Sequence, residues 1–308
     1  MPPLHAAGTE AFSYLNLSPS PRASAMGSAY VAVAQGPQTV FFNPSGLAFL
    51  KDSHLYTQTY LPPFLEESKY HNLVWARPSE WGAWALTTGI FHVGPFTRTV
   101  VDSSSADGYK EVGDFTTYDL KVSFSSAKEI KPGLAVGSTL SFMRESLADF
   151  TTHGVALDLG VLYSPSLSTQ RFGLSLQQVG PDVRFQNESF HLPLLVRGGW
   201  SISQPKSSPS KLVPAESLFT VELQKILSGG EFLQSGIEIP IYPQFKLRGG
   251  YKYALQKQHL ASKWLFPNGF SLGIGMNKGE WSFDYSTSSM GDLGLIHQVA
   301  LDLRWRTE

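Results

Sequence analysis

Apolar and polar positions alternate along most of the chain with a period of two. In the last such stretch Val299, Leu301, Leu303 and Trp305 take one parity, and Ala300, Asp302 and Arg304 take the other. Side chains on a strand point alternately to its two faces, so one face here is apolar and the other carries full charges. Val155, Leu157, Leu159 and Val161 alternate in the same way with Ala156, Asp158 and Gly160. Phe270, Leu272, Ile274 and Met276 alternate with Ser271, Gly273 and Gly275, and Trp281, Phe283 and Tyr285 with Ser282, Asp284 and Ser286. Separated by turn signals, these stretches predict about fourteen strands: 53–61, 69–77, 82–93, 115–125, 133–144, 153–163, 170–179, 193–202, 217–225, 231–240, 244–253, 269–277, 280–287 and 295–305.

A soluble sandwich would bury the apolar face in its core. A transmembrane barrel turns it to lipid and sends the charges to the lumen. Two features favour the barrel. The longest connections, near 94–114, 180–192 and 254–268, follow odd-numbered strands, while Arg77–Glu80, Pro240–Pro243 and Asn277–Glu280 are short and follow even ones; Gln204–Ala215 is the exception. Barrels of this kind have long outer loops and short periplasmic turns. The inward charges also balance: Asp119, Asp158, Glu222, Glu238, Asp284 and Asp302 against Lys121, Arg197, Lys246, Arg248, Lys252 and Arg304. A lumen of paired charges holds such groups, whereas a dry sandwich core does not. The fold expected is all-β, a transmembrane antiparallel β-barrel with Leu157, Leu272 and Leu301 facing lipid.

The first 50 residues break the pattern. Arg22 to Ala34 is rich in Ala, Gly and Ser, and Asn43-Pro-Ser-Gly46 is a turn signal. Small residues without alternation read as a segment packed inside something. We therefore expect an N-terminal hatch or plug over 1–50 and the barrel over 51–308. Arg22 is expected to pair with a lumen carboxylate, because an unpaired buried charge is costly.

Composition fits an envelope protein. Charged residues are 16%, aromatics 13% and glycines 28, with a net charge of -1 and no cysteine. Soluble proteins carry roughly 25% charged residues. The near-zero net charge gives no electrostatic footprint for nucleic acid, and without cysteine there is neither a disulfide framework nor thiolate chemistry. No apolar run is long enough for a transmembrane helix. Met1 to Gly8 has no basic and apolar regions of signal-peptide kind, so the barrel reading expects a leader further upstream or already removed.

Three stretches together resemble the PorV/PorQ family. The first is Leu15 to Ala34, with Arg22-Ala23, Met26-Gly27 and Val31-Ala32, followed by Asn43-Pro-Ser-Gly-Leu-Ala48. The second is Gly236-Ile-Glu238 with Leu247-Arg-Gly-Gly-Tyr251, and the third is Met290-Gly-Asp-Leu-Gly-Leu-Ile-His297. That family is similar to FadL-type long-chain fatty-acid transporters, fourteen-stranded outer-membrane barrels with an N-terminal hatch. The resemblance implies Arg22, Met26, Gly27, Asn43, Pro44 and Gly46 as hatch residues. It also implies an outer-membrane location and lipid contact, with one of two roles. In type IX-like protein secretion such barrels dock secreted proteins or other secretion components. In FadL-like uptake they pass a fatty-acid-like or other hydrophobic small molecule. The lumen charges favour the scaffold, with the loops 94–114 and 255–268 as docking surfaces. Ser45 and the pair Gly36-Pro37 depart from the family pattern, and the chain ends Trp305-Arg-Thr-Glu308 rather than on an aromatic residue.

Nothing points to an enzyme, a cofactor or a metal. The eight histidines show no ligand spacing. Gly269-Phe-Ser-Leu-Gly273 matches a nucleophile elbow by letter, but the elbow needs a strand-to-helix turn and Ser271 sits in an alternating strand. Asp158, Glu222 and Glu238 read as partners of the lumen cations rather than as an acid–base pair. Trp75, Trp84, Trp200, Trp281 and Trp305 read as an interfacial girdle.

Overall fold

The computed structural model describes residues 10–33, 35–61, 68–105, 107–165, 169–185, 188–205, 214–255, 268–291 and 294–306. Its strands are β1 (Ser53–Leu61), β2 (Lys69–Ser79), β3 (Gly82–Val101), β4 (Tyr109–Lys131), β5 (Leu134–Leu147), β6 (Phe150–Tyr163), β7 (Gln170–Val179), β8 (Val183–Phe185), β9 (Glu188–Phe190), β10 (Leu195–Ser203), β11 (Leu218–Ile226), β12 (Glu231–Tyr242), β13 (Phe245–Ala254), β14 (Phe270–Lys278), β15 (Trp281–Ser289) and β16 (Leu295–Trp305). Fourteen of them close into an antiparallel barrel, and β8 and β9 form a separate two-stranded hairpin. The ring shuts where β1 pairs with β16, Ser53 opposite Trp305 and Leu61 opposite His297. Closure leaves no sheet edge, which is what a spanning sheet requires in lipid.

Burial alternates as the sequence does, with buried and exposed residues taking turns from Thr152 to Tyr163 of β6. Leu157, Leu272 and Leu301 are 38%, 41% and 39% exposed on the outer wall. Arginine at Leu157 is therefore expected to cost about 2–4 kcal/mol near the midplane of a bilayer, read as a lower urea midpoint for folding into vesicles. The same change at Ser271, on the inner face, would cost less only if the lumen had space, and Ser271 is in contact with the N-terminal segment: its hydroxyl accepts from the Gly27 N–H at 3.1 Å and donates to the Ala25 carbonyl at 3.2 Å. Near the end of the barrel that carries the short turns, Trp75, Trp281 and Trp305 are exposed on the outer wall, and Trp75 packs edge-on to Trp84 with ring centres 4.9 Å apart.

Two connections differ from expectation. Gly94-Pro95 reads as a stop, yet β3 runs on to Val101 and β4 begins at Tyr109. The ladder passes the interruption by shifting register between Val93 and Phe96, then again between Thr97 and Thr99. The β-branched and aromatic residues beyond it carry the strand. What was expected as a loop over 94–114 is thus largely ladder, paired out to Val101 opposite Tyr109. The connection 180–192 contains β8 and β9. Residues 206–213 and 256–267, inside two of the expected long connections, lie outside the described residues.

Residues 10–33 and 35–50 occupy the interior of the ring. They form a helix α1 (Pro21–Ala25) and three 3-10 turns, Ser13–Asn16, Pro37–Phe41 and Pro44–Phe49. Proline at the first helical position and a capping side chain start α1, with Ser20 Oγ accepting from the Ala23 N–H at 3.4 Å. Met26, Ala29, Ala32, Phe42 and Leu47 are fully buried. Alanines of the wall, among them Ala76, Ala83, Ala85 and Ala127, leave space for Val40 and Leu47 at the end with the short turns.

Candidate functional site: the filled lumen

An irregular segment inside a barrel must find partners for its own backbone. Here the wall supplies them. Glu222 of β11 accepts from the Tyr30 and Val31 N–H groups, both at 2.8 Å. Ser201 of β10 donates to the Ala32 carbonyl at 2.8 Å, Arg171 of β7 to Val33 at 2.8 Å, and Ser175 and Gln177 of β7 to Phe42 and Phe41 at 2.8 and 3.0 Å.

Contact this close is possible because the wall loses its side chains where the segment touches it. Three pairs of inward glycines sit directly opposite each other across neighbouring strands: Gly137 and Gly160, Gly173 and Gly199, Gly236 and Gly250. Each pair receives one motif of the N-terminal segment. A Cβ on Gly137 would meet the Ser45 N at 2.5 Å, one on Gly199 the Val31 Cγ1 at 2.6 Å, and one on either Gly236 or Gly250 the backbone of Met26. Gly273 does the same for Ala25, at 2.6 Å. Gly27, at φ +64, turns the chain against Ser235 and Tyr251 with no room for a side chain. Sequence reading placed Gly160 and Gly273 on the inward parity but gave the pairs no role, because a glycine in a strand reads first as a weak point.

The expected hatch residues take these positions. Met26 and Gly27 lie on the Gly236–Gly250 pair. Asn43 joins two legs of the segment to the wall: its amide donates to the Val31 carbonyl at 2.9 Å and to the Val161 carbonyl of β6 at 3.0 Å, and its oxygen accepts from the Ser45 hydroxyl at 2.5 Å. Pro44 opens the 3-10 turn that follows, and Gly46 packs against Thr39. Alanine at Asn43 would remove its bonds to the Val31 and Val161 carbonyls and its acceptor for Ser45. We expect a loss of about 1–3 kcal/mol, and measured by limited proteolysis, faster cleavage of the N-terminal segment than of the barrel.

The lumen charges form two clusters and some outliers. In the first, Arg22 Nε and Arg248 Nε meet the same Glu238 oxygen at 2.8 and 2.7 Å, Lys246 reaches the other oxygen at 3.1 Å, and Arg248 also binds Asp284 at 2.5 Å. Burial works against the Arg22 charge, but the Glu238 carboxylate outweighs it and raises the pKa of the guanidinium above its ordinary value. In the second, Arg197 binds Glu222 at 2.8 Å and Gln177 at 2.9 Å. Asp158 accepts the Gln178 N–H at 2.6 Å and faces Lys121 electrostatically. Lys252 sits over the Phe232 ring at 4.2 Å. Asp302 pairs with His54 at 3.0 Å, a partner the sequence did not suggest. Arg304 corrects the expectation of a lumen charge. Its side chain is 53% exposed and reaches Asp52 at 3.8 Å, because inward parity at a strand's last residues leads out of the barrel mouth.

Between the segment and the wall, Leu15, Leu17, Tyr70, Lys121, Asp158 and Gln178 line a cavity of about 30 Å³. That is room for roughly one water, whereas a dry cavity that admits benzene measures roughly 150 Å³. Among the described residues the segment leaves no room for such a guest in this cavity. Among the described residues no cluster of three metal-binding side chains occurs, and the Ser271 hydroxyl is engaged with the N-terminal segment.

This architecture can be set beside solved structures. The fold is that of the FadL-type hydrocarbon transporters. The toluene transporter TbuX of Ralstonia pickettii superposes with a TM-score of 0.62 at 14% identity, over 94% of this chain and 100% of that one. The monoaromatic hydrocarbon channel CymD gives 0.62 at 14% identity, over 96% and 100%. A FadL homologue of Pseudomonas aeruginosa gives 0.55 at 10% identity, over 93% and 97%. At these identities the likeness is one of fold. No family model matches the sequence, and no curated protein matches it significantly.

Proposed function

We propose that this protein is an outer-membrane channel of a Gram-negative-type bacterium that takes up small hydrophobic molecules past an N-terminal hatch, residues 1–50. The observation that carries this reading is a segment bonded to the barrel wall at points from Phe12 to Asn43, in a fold shared with channels named for toluene and other monoaromatic hydrocarbons. A pure scaffold needs no removable filling. Its lumen can be closed by side chains alone, as in small barrels. Here the strands give up inward side chains at glycine pairs to admit a separate segment. Many of the contacts that hold it are polar and can be exchanged for water when it moves.

The resemblance allowed either role, and the lumen charges favoured the secretion scaffold with docking loops. The structural neighbours named in the comparisons are transporters and channels, and uptake becomes the main reading. The test is uptake of radiolabelled toluene by cells with and without the barrel, alongside recovery of the barrel from solubilised outer membrane. Faster uptake by cells that carry it supports the proposal. Unchanged uptake, with co-purification of secretion components, would return the scaffold to first place.

A further inference from the structure

The two charge clusters leave one pair of acids aside. Asp119 of β4 and Glu145 of β5 are direct cross-strand neighbours with inward parity. The same row of the wall continues through Phe91 of β3 to Tyr70 of β2, each opposite the next. Tyr14, in the first turn of the N-terminal segment, lies over this row. It stacks on Phe91 at 5.7 Å and meets Tyr70 edge-on at 5.5 Å, while Tyr70 and Phe91 are 6.0 Å apart. Two carboxylates are thus set beside three aromatic rings, at the end of the barrel that carries the longer connections.

Glu222, Glu238, Asp284 and Asp302 each have a cationic partner, and Asp158 holds a backbone N–H. One oxygen of Glu145 accepts the Phe12 N–H at 2.9 Å. Asp119 has neither kind of partner. It is 5% exposed, and its Oδ1 is buried without a hydrogen bond, as is the Tyr14 hydroxyl beside it. Lys121, the next inward residue of β4, is set against Asp158 and makes no ion pair with Asp119. A buried carboxylate oxygen with no donor is costly, and buried polar groups are as a rule paired. Positive charge is what this place lacks. Two carboxylates are too few for a hard metal ion, which takes six or more oxygen ligands, whereas ring faces attract organic ammonium groups.

We infer that Asp119 and Glu145, with Tyr14, Tyr70 and Phe91, form a recognition site for an organic cation, an ammonium group carried on an apolar or aromatic body. The inference rests on the uptake reading and names a substrate class for it, hydrophobic amines. The carboxylates supply the charge and the rings the apolar surface. Because Tyr14 belongs to the hatch, a cation bound here also touches the first turn of the segment that must move.

The test uses the full chain in lipid nanodiscs and isothermal titration with two probes. Benzyltrimethylammonium keeps its charge at any pH, and neopentylbenzene has the same shape without the charge. We expect the wild type to bind the cation about tenfold more tightly than the neutral probe. Asp119→Asn should remove that preference and leave neopentylbenzene binding unchanged, and Tyr70→Leu should weaken the cation with the acids intact. Heat-modifiable migration on a gel confirms that each variant is folded. A wild type that binds both probes equally, or an Asp119→Asn variant that keeps the preference, overturns the inference and leaves uptake standing. Binding of neither probe overturns the inference and counts against the uptake reading as well.

Discussion

Valine at Gly250 is expected to expel the hatch from its seat, while valine at the adjacent Gly249 is expected to be accepted. The two residues are neighbours on β13 with opposite parity. A Cβ at Gly250 would fall on the backbone of Met26 and Gly27. At Gly249 the nearest atoms are Leu272 Cδ2 at 3.8 Å and Ile237 Cγ2 at 3.9 Å, ordinary contact on the lipid-facing wall. The strand cannot move aside, since β13 is bonded along both edges to β12 and β14, so the segment must yield. Overpacking of this kind costs about 1–3 kcal/mol. A β-branched residue on an exposed strand face is neutral or favourable. Planar-bilayer recordings should show a conducting lumen for Gly250→Val and a closed one for Gly249→Val.

The second large effect is expected at Glu238. This one carboxylate faces Arg22, Arg248 and Lys246. Glutamine in its place keeps the shape and leaves three cations around a neutral group. Breaking a buried pair from one side costs about 3–5 kcal/mol. Removing Arg22 instead should cost less, because Glu238 keeps two partners. Urea titration of the folded barrel should therefore rank Glu238→Gln below Arg22→Gln, and both below the wild type. Equal midpoints for the three proteins would show that the cluster does not hold the hatch.

The barrel was legible because lipid and lumen impose opposite demands on alternate residues. β1, β7 and β16 begin and end where the alternation does. Where a strand met Gly94-Pro95, local turn chemistry pointed to a loop, and the ladder carried β3 past it through register shifts. Parity assigns a face but not a height, which is why Arg304 was read into the lumen although it stands at the mouth. The segment that fills the ring was visible as a stretch of small residues without alternation. Its seat was not. Each glycine pair joins strands whose registers are fixed only once the barrel closes, and no local pattern shows that Gly173 will lie opposite Gly199. His54 was missed for the same reason, since its partner Asp302 is brought beside it only by the closing pair of β1 and β16.

On the proposed function, hydrophobic molecules enter only when the N-terminal segment leaves the wall. The chain has no cysteine of its own, so a reversible lock can be added where Val31 lies on Gly199. Val31→Cys with Gly199→Cys would be oxidised on cells that carry the barrel, and toluene uptake followed before and after reduction, with each single variant as control. We expect uptake to fall to the level of cells without the barrel when the pair is oxidised, and to return on reduction. Uptake that is unchanged with the hatch locked to β10 would contradict the account.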